Sequence, residues 1–382
     1  MVRLIKPGET IGILGGGQLG RMMAIAAKQM GYRTAVLDPT PDNPCAQVSD
    51  IELNAPYNDE VAAEDLARVS DVVTYEFENV DLKTARWLEE KAFLPQGADL
   101  LRVTQDRAEE KAAIEQAGVP VAPYRVVVSE EDLAAAVLVC GLPAVLKTTR
   151  GGYDGKGQRV IKTKEDLHQA IDELDGKTVF VLEQWIPFKK ELSVIVTRST
   201  TGETTTFPVV ENVHVNNMLH MTLAPARVND GVKEQAKSVA LTIANALKLV
   251  GTLAVEMFLT EDDRVFVNEL APRPHNSGHY TIEACETSQF EQHVRAICGL
   301  PLGSTELLKP AVMVNLLGQH MKAVEEALGD FNRAHLHLYG KVEAKVNRKM
   351  GHITILADSL DDAIHETKRL KIWDDRKVEG TV

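Results

Sequence analysis

Along the first ninety-odd residues, short apolar runs rich in β-branched side chains alternate with stretches of helical period. TIGIL leads into a helix predicted over Gln18 to Met30; TAVLD follows, and after an acidic helical stretch comes DVVTYEF. Strands alternating with helices predict a doubly wound α/β unit. From about Ala98 the texture changes. A helix carrying Arg107, Glu109, Glu110 and Lys111 leads into GVPVAPY, whose glycine and prolines predict an extended linker. YRVVV, PAVLK, QRVI, TVFVLEQWI, ELSVIVTR and TTTFPVV then read as strands, Asp230 to Leu249 as a helix, and TLAVEMFL with RVFVNEL as a strand pair. Runs of strands with few helices between them predict an α+β unit with much antiparallel pairing. Beyond Lys309, HLHLYGKVEAKVNRKMGHITIL predicts a small third unit.

At 382 residues the chain is too long for one ordinary core, in keeping with two or three domains. Its net charge of −13 repels phosphate polymers, which argues against nucleic acid or an anionic membrane as a general partner. Small anions in a local basic pocket remain compatible. Cys45, Cys140, Cys285 and Cys298 lack metal or CxxC spacing, and no signal peptide or apolar run of about 18 residues appears, so a reducing cytoplasm is expected.

Two glycine-rich turns compete for a phosphate. Gly15-Gly16-Gly17-Gln18-Leu19-Gly20 satisfies G-x-G-x-x-G between a strand and a helix, and Asp38 ends the second strand. That pattern suits NAD, but it equally serves close helix packing or one phosphate at a helix N-terminus. The other turn is RGGYDGKG, Arg150 to Gly157, three residues after Lys147. Its glycines let backbone N–H groups approach an anion, with Lys147, Arg150, Lys156 and Arg159 adding positive charge. No Walker pattern is present, so a nucleotide site here is of another design.

A second constellation lies in the strand pair. If Thr260 and Val265 flank the acidic loop, antiparallel register sets Glu256 opposite Glu269. Facing carboxylates repel and call for a cation, and open all-oxygen ligation suits Mg²⁺ shared with substrate phosphates. Asn268 joins them only if the strand bends there. Glu183-Gln184-Trp185-Ile186 ends an apolar strand and offers backbone groups and apolar walls to a purine, with Glu191 at loop distance for ribose hydroxyls.

The order Arg107, Lys147, RGGYDGKG, EQWI, Glu191, VEMF and NELAPRPHNSGH resembles the ATP-grasp superfamily. The GGGQLGR start, YEFENV and PHNSGH are similar to one family within it, the 5-(carboxyamino)imidazole ribonucleotide synthases of purine biosynthesis. The resemblance runs from Gly15 to about His352. It implies an α/β and α+β chain with a Rossmann-like pre-ATP-grasp domain at 1–97, an ATP-grasp domain at 98–308 with its lid at about 120–188, and a small strand-rich C-terminal domain at 309–382.

It also implies site residues. Arg107, Lys147, Gly152, Tyr153, Asp154, Gly155, Lys156, Gly157 and Gln158 would contact ATP, together with Glu183, Gln184, Trp185, Ile186, Glu191, His214, Asn268 and Glu269. Glu256 and Glu269 would hold magnesium. Aminoimidazole ribonucleotide would meet Tyr153, Asp154, Glu76, Arg273, His275 and Asn276, its phosphate lying near Lys341 and Arg348, with Gln18 and Leu19 of the opening turn facing it as well. Where the family commonly reads EARPGRKMGH, this chain has Glu343-Ala344-Lys345-Val346-Asn347-Arg348-Lys349-Met350-Gly351-His352. Lys345 keeps the arginine's charge but not its fork, and the Pro-Gly turn is gone.

The implied reaction is ATP-dependent carboxylation of the nucleotide's exocyclic amine by bicarbonate through carboxyphosphate, with ADP and phosphate released. Arg273 would offset charge at the transferring group, His275 or Asp154 would manage the amine proton, and the lid would exclude water. The family also implies a homodimer. Two other readings stand beside this one: an ATP-grasp ligase such as a formate-dependent formyltransferase, and an NAD-dependent oxidoreductase built on the first turn.

Overall fold

The computed structural model describes residues 3–152 and 157–373 and distributes the strands over three sheets. The N-terminal alternation folds as its period predicts. Strands Thr10–Leu14, Arg33–Asp38, Ile51–Asn54 and Val72–Tyr75 form one parallel sheet, with the first at its centre between Arg33–Asp38 and Val72–Tyr75. Thr10–Leu14 and Val72–Tyr75 are buried throughout, as a sheet covered by helices on both faces requires. Ile51–Asn54 escaped the sequence reading because it is a four-residue edge strand whose burial alternates, diluting the apolar signal with Glu52 and Asn54.

The predicted antiparallel unit resolves into two sheets. Tyr124–Val127, Phe180–Gln184, Ala144–Thr148 and Gln158–Ile161 make a small sheet, backed by helices Glu130–Cys140 and Lys164–Ile171 and holding its own core around Leu133, Leu146, Ile161 and Leu182. The larger sheet has nine strands, all antiparallel, with Gly251–Thr260 between Phe188–Arg198 and the edge strand Val265–Ala271. Helix Asp230–Ala246 covers one face, burying Val232, Ala236, Val239, Ala240 and Ile243 in a cluster with Val194, Val196, Leu253 and Val255. Each fully buried Val, Leu or Ile among them contributes about 1.5–3 kcal/mol. The helix stops short of Leu249 because Lys248 turns left-handed at φ 49° and Gly251, at φ 95°, starts the next strand. The linker is indeed extended, and it adds a rung to the sheet edge: Val267 N–H donates to the Pro120 carbonyl at 3.1 Å.

The two facing glutamates owe their position to a bulge. Leu259 pairs with Val265, Phe258 with Phe266 and Met257 with Val267, after which the register shifts and Glu256 pairs with Glu269. Asn268 is the extra residue, so the strand bends where its oxygen could join the carboxylates.

The C-terminal strands do not form a sheet of their own. Ala311–Leu317 pairs with Met218–Ala224 and is followed outward by Lys349–Leu356 and Ala334–Leu338. Val213, Met221 and Leu223 share one core with Val312, Val314, Ile353 and Trp373. Ending the chain at Pro310 would therefore bare a sheet edge and leave Val213, Met221 and Leu223 without the rest of that core. The truncated chain is expected to lose soluble expression and to bind a hydrophobic dye; a monodisperse fragment with a sharp thermal transition would show that the two parts are separable.

Candidate active site

A cleft of about 740 Å³ lies between the small sheet and the bulged strand pair. Lys147, Gly157, Gln158, Val160 and the segment Glu183 to Ile186 line it from the small sheet; Glu256, Phe258, Asn268, Glu269 and Leu270 line it from the large one. Of the other expected residues, Arg107, Gly152, Glu191, His214, Arg273, His275 and Asn276 also line it. Tyr153, Asp154, Gly155 and Lys156 lie outside the described residues.

Charge in the cleft is paired across different elements. Asp106 caps helix Arg107–Gln116, and spacings of three and four residues put Arg107, Glu110 and Lys111 on one face of it. Arg107 reaches Glu269 at 3.4 Å. Lys147 and Lys111 both meet Glu183 Oε2, at 3.1 and 3.2 Å, with Lys111 fully buried. Burial opposes the Glu183 charge, yet Lys147, Lys111 and Arg107 hold its carboxyl down at about 2. Burial also pulls the Lys147 ammonium down. The ionised pair prevails, because Glu183 answers several cations at once. Glu110, by contrast, is pushed up by burial to about 8 while accepting the Leu270 N–H at 2.7 Å.

Glu256 meets His275 Nε2 at 3.1 Å. Burial works against its ionisation, but the hydrogen bond from His275, with the charge of His214 and Arg273, holds it well below the usual carboxylate range. Arg273 forms a forked pair with Glu78, at 2.6 and 3.1 Å. His214 Nδ1 lies 2.6 Å from Glu191. In the segment Glu183 to Ile186, Gln184 and Trp185 N–H groups donate to the Pro123 and Pro143 carbonyls, while the Ile186 N–H has no protein acceptor among the described residues. Phe258 stacks on Phe188 at 4.6 Å, adding an apolar wall.

Glu256 and Glu269 fit a hard divalent cation: they face one another at the cleft with Asn268 in the bulge between. An ion held by these two carboxylates would keep open positions for phosphate oxygens.

Gln18, Leu19, Glu76, Lys341 and Arg348 sit outside the cleft lining. Leu19 is in the core. The Glu76 carboxylate accepts the Gly17 and Gly20 N–H groups at 2.5 and 2.7 Å, and a Cβ on Gly17 would fall 2.5 Å from Glu76 Oε1. The helix N-terminus of the NAD-like fingerprint is thus filled by the protein's own anion, which removes the physical basis of the oxidoreductase reading. Lys341 donates to the carbonyl of Lys349, which does line the cleft, and burial beside Arg348 pulls its ammonium down to about 8. The missing Pro-Gly turn is replaced: Arg348 N–H donates to the Lys345 carbonyl at 3.0 Å, and Asn347 takes the left-handed position at φ 66°.

Sequence reasoning missed Lys111, Glu110, Glu78 and Phe258 as parts of the site. For the first two, the spacing from Arg107 was the available signal.

Residues 112–290 match the family model described as the ATP-grasp domain, residues 8–105 the ribonucleotide synthetase preATP-grasp domain, and residues 311–366 the phosphoribosylaminoimidazole carboxylase C-terminal domain. The chain is 57% identical over 364 residues to the N5-carboxyaminoimidazole ribonucleotide synthase of Bacillus subtilis strain 168, covering 95% of this chain and 96% of that one. It is similar, at TM-score 0.96 and 57% identity over 99% of this chain and 100% of the other, to an N5-carboxyaminoimidazole ribonucleotide synthetase crystallised as its ADP complex. The Aspergillus clavatus enzyme in complex with ADP and 5-aminoimidazole ribonucleotide matches at TM-score 0.89 and 34% identity, over 96% and 98% of the two chains.

Because Glu183 has a depressed pKa, its contribution to stability is present above about 4.5 and is lost as pH falls towards about 2. Glu183→Gln leaves two buried ammoniums unmatched and is expected to lower stability by about 3 kcal/mol at neutral pH. In chemical denaturation that deficit should shrink on acidification below about pH 4.5; a deficit independent of pH would show that Glu183 is not held ionised.

Proposed function

The chain belongs to the N5-carboxyaminoimidazole ribonucleotide synthase family of ATP-grasp enzymes, and from that membership we propose that it carboxylates the exocyclic amine of 5-aminoimidazole ribonucleotide with bicarbonate at the expense of ATP. The observation that carries the proposal is that one cleft is lined by Lys147, Arg107 and the segment Glu183 to Ile186 together with Arg273, His275 and Asn276.

In this reading ATP lies between the two sheets. The Ile186 N–H and the backbone around Glu183 meet adenine, Glu191 and His214 the ribose, and Arg107 and Lys147 the phosphates. Glu256 and Glu269, with Asn268 beside them, would hold magnesium, which when bound offsets phosphate charge. A bicarbonate oxygen attacks the γ-phosphorus, the bond to ADP breaks, and carboxyphosphate forms. Arg273, its fork braced by Glu78, offsets charge on the transferring group. The amine nitrogen then bonds to the carbon of carboxyphosphate, or of carbon dioxide released from it as phosphate leaves, and the nitrogen gives up a proton. Tyr153 and Asp154 of the glycine-rich loop would touch the amine-bearing nucleotide while the loop excludes water. Its phosphate would lie beside Lys349, towards Lys341 and Arg348, with Glu76, Gln18 and Leu19 behind. The same reading makes the enzyme a cytoplasmic homodimer, supported by the family resemblance and by four buried free thiols, as a reducing compartment allows.

ADP release is expected to need both the aminoimidazole nucleotide and bicarbonate, with formate inert; ADP formed equally well without either would refute the assignment. Glu269→Gln is expected to keep its fold by circular dichroism and lose at least about 100-fold in ATP turnover. Wild-type rates in the folded variant would remove the metal role.

A further inference from the structure

Around His275 the hydrogen bonds run in one direction. Thr222 Oγ1 donates to Asn212 Oδ1 at 3.0 Å, and Asn212 Nδ2, which can only donate, reaches Ser193 Oγ at 2.9 Å. Ser193 Oγ donates to Ser277 Oγ at 2.8 Å, and that hydroxyl's own proton then has His275 Nδ1 at 2.9 Å. A second donor at the same nitrogen needs no assignment. The Ser277 backbone N–H points at Nδ1 from 3.3 Å, and a backbone amide cannot accept. Nδ1 is therefore an acceptor, the neutral ring carries its proton on Nε2, and Nε2 faces Glu256 Oε1 at 3.1 Å.

The support is rigid. Ser193, Ser277, Thr222 and Gln289 are fully buried, and the chain is drawn from separate strands of the large sheet and the loop after it. Gln289 clamps the His275 backbone from both sides, accepting its N–H at 2.8 Å and donating to its carbonyl at 2.7 Å. Fixed dipoles of this kind exact no reorganisation when charge moves nearby.

We propose that Ser277, Ser193 and Asn212 are positioning residues that lock His275 as a hydrogen-bond donor to Glu256, so that the ring aligns a cleft carboxylate and does not take the proton from the reacting amine. This rests on the carboxylation reading for the identity of the amine, while the lock itself is a property of the protein alone. Partners that orient a metal-binding carboxylate typically matter by about 10–100-fold.

The test uses full-length protein labelled with ¹⁵N-histidine. Long-range ¹H–¹⁵N correlations are recorded without substrates at about pH 8.5, two units above the ordinary imidazole value. His275 is identified by the resonance lost in His275→Gln or shifted in Ser277→Ala. The expected spectrum has Nε2 protonated and Nδ1 bare; a proton on Nδ1 overturns the proposal whatever the enzyme's substrate. In steady-state assays, His275→Gln keeps an amide donor towards Glu256 and is expected to lose no more than about tenfold in kcat, against about 100-fold for His275→Ala. Equal losses in the two variants would make the ring a proton acceptor and overturn it. Ser277→Ala should lower kcat about tenfold with KM for the aminoimidazole nucleotide unchanged; an unchanged kcat would remove the positioning role.

Discussion

Like charges placed opposite each other on neighbouring strands destabilise a sheet, and the arrangement of this molecule around its cleft answers that constraint at Glu256 and Glu269. Each of the two carboxylates meets a donor or cation from elsewhere in the chain: His275 from the loop after the second strand, Arg107 from the helix that precedes the linker. The pattern repeats outward. Glu183 is met by Lys147 and Lys111, Glu78 by Arg273. Because each partner comes from a different element, the charges that make the cleft also tie the N-terminal unit, the small sheet and the large sheet to one another. A buried pair is weak evidence for net stability, but breaking one leaves an unmatched charge, so the interlock resists piecemeal change.

Much of this was legible in the sequence because periodicity and register are local. The parallel unit, the antiparallel unit and the opposition of Glu256 to Glu269 follow from alternation and from counting residues across one loop. The counting succeeded for a reason it did not contain: the loop begins one residue tighter than assumed, and the Asn268 bulge restores the sum. Resemblance supplied the rest of the site, namely which of many lysines and glutamates converge.

What stayed hidden depends on long-range packing. Lys111 looks like one charge of a solvated helix face until the small sheet is folded over it. The glycines at 15 to 20 advertise a ligand, yet they make room for Glu76 and Asn43 side chains from the same unit. The C-terminal strands read as a separate body because a strand pattern says nothing about which edge it will join. Asn347 in place of glycine was visible as a departure, but only the backbone shows that asparagine takes the same left-handed turn.

The small sheet is joined to the rest of the molecule by two stretches of chain only, the one leaving Pro120 and the one arriving at Phe188, and these run side by side where Gln184 bonds Pro123. An insertion anchored at two adjacent points behaves like a page on its binding: any rotation of the small sheet against the rest would turn about that seam. The seam contains Trp185 and Ile186, which line the cleft. If the small sheet shifts as a unit, the seam residues that line the cleft are therefore the ones that move least.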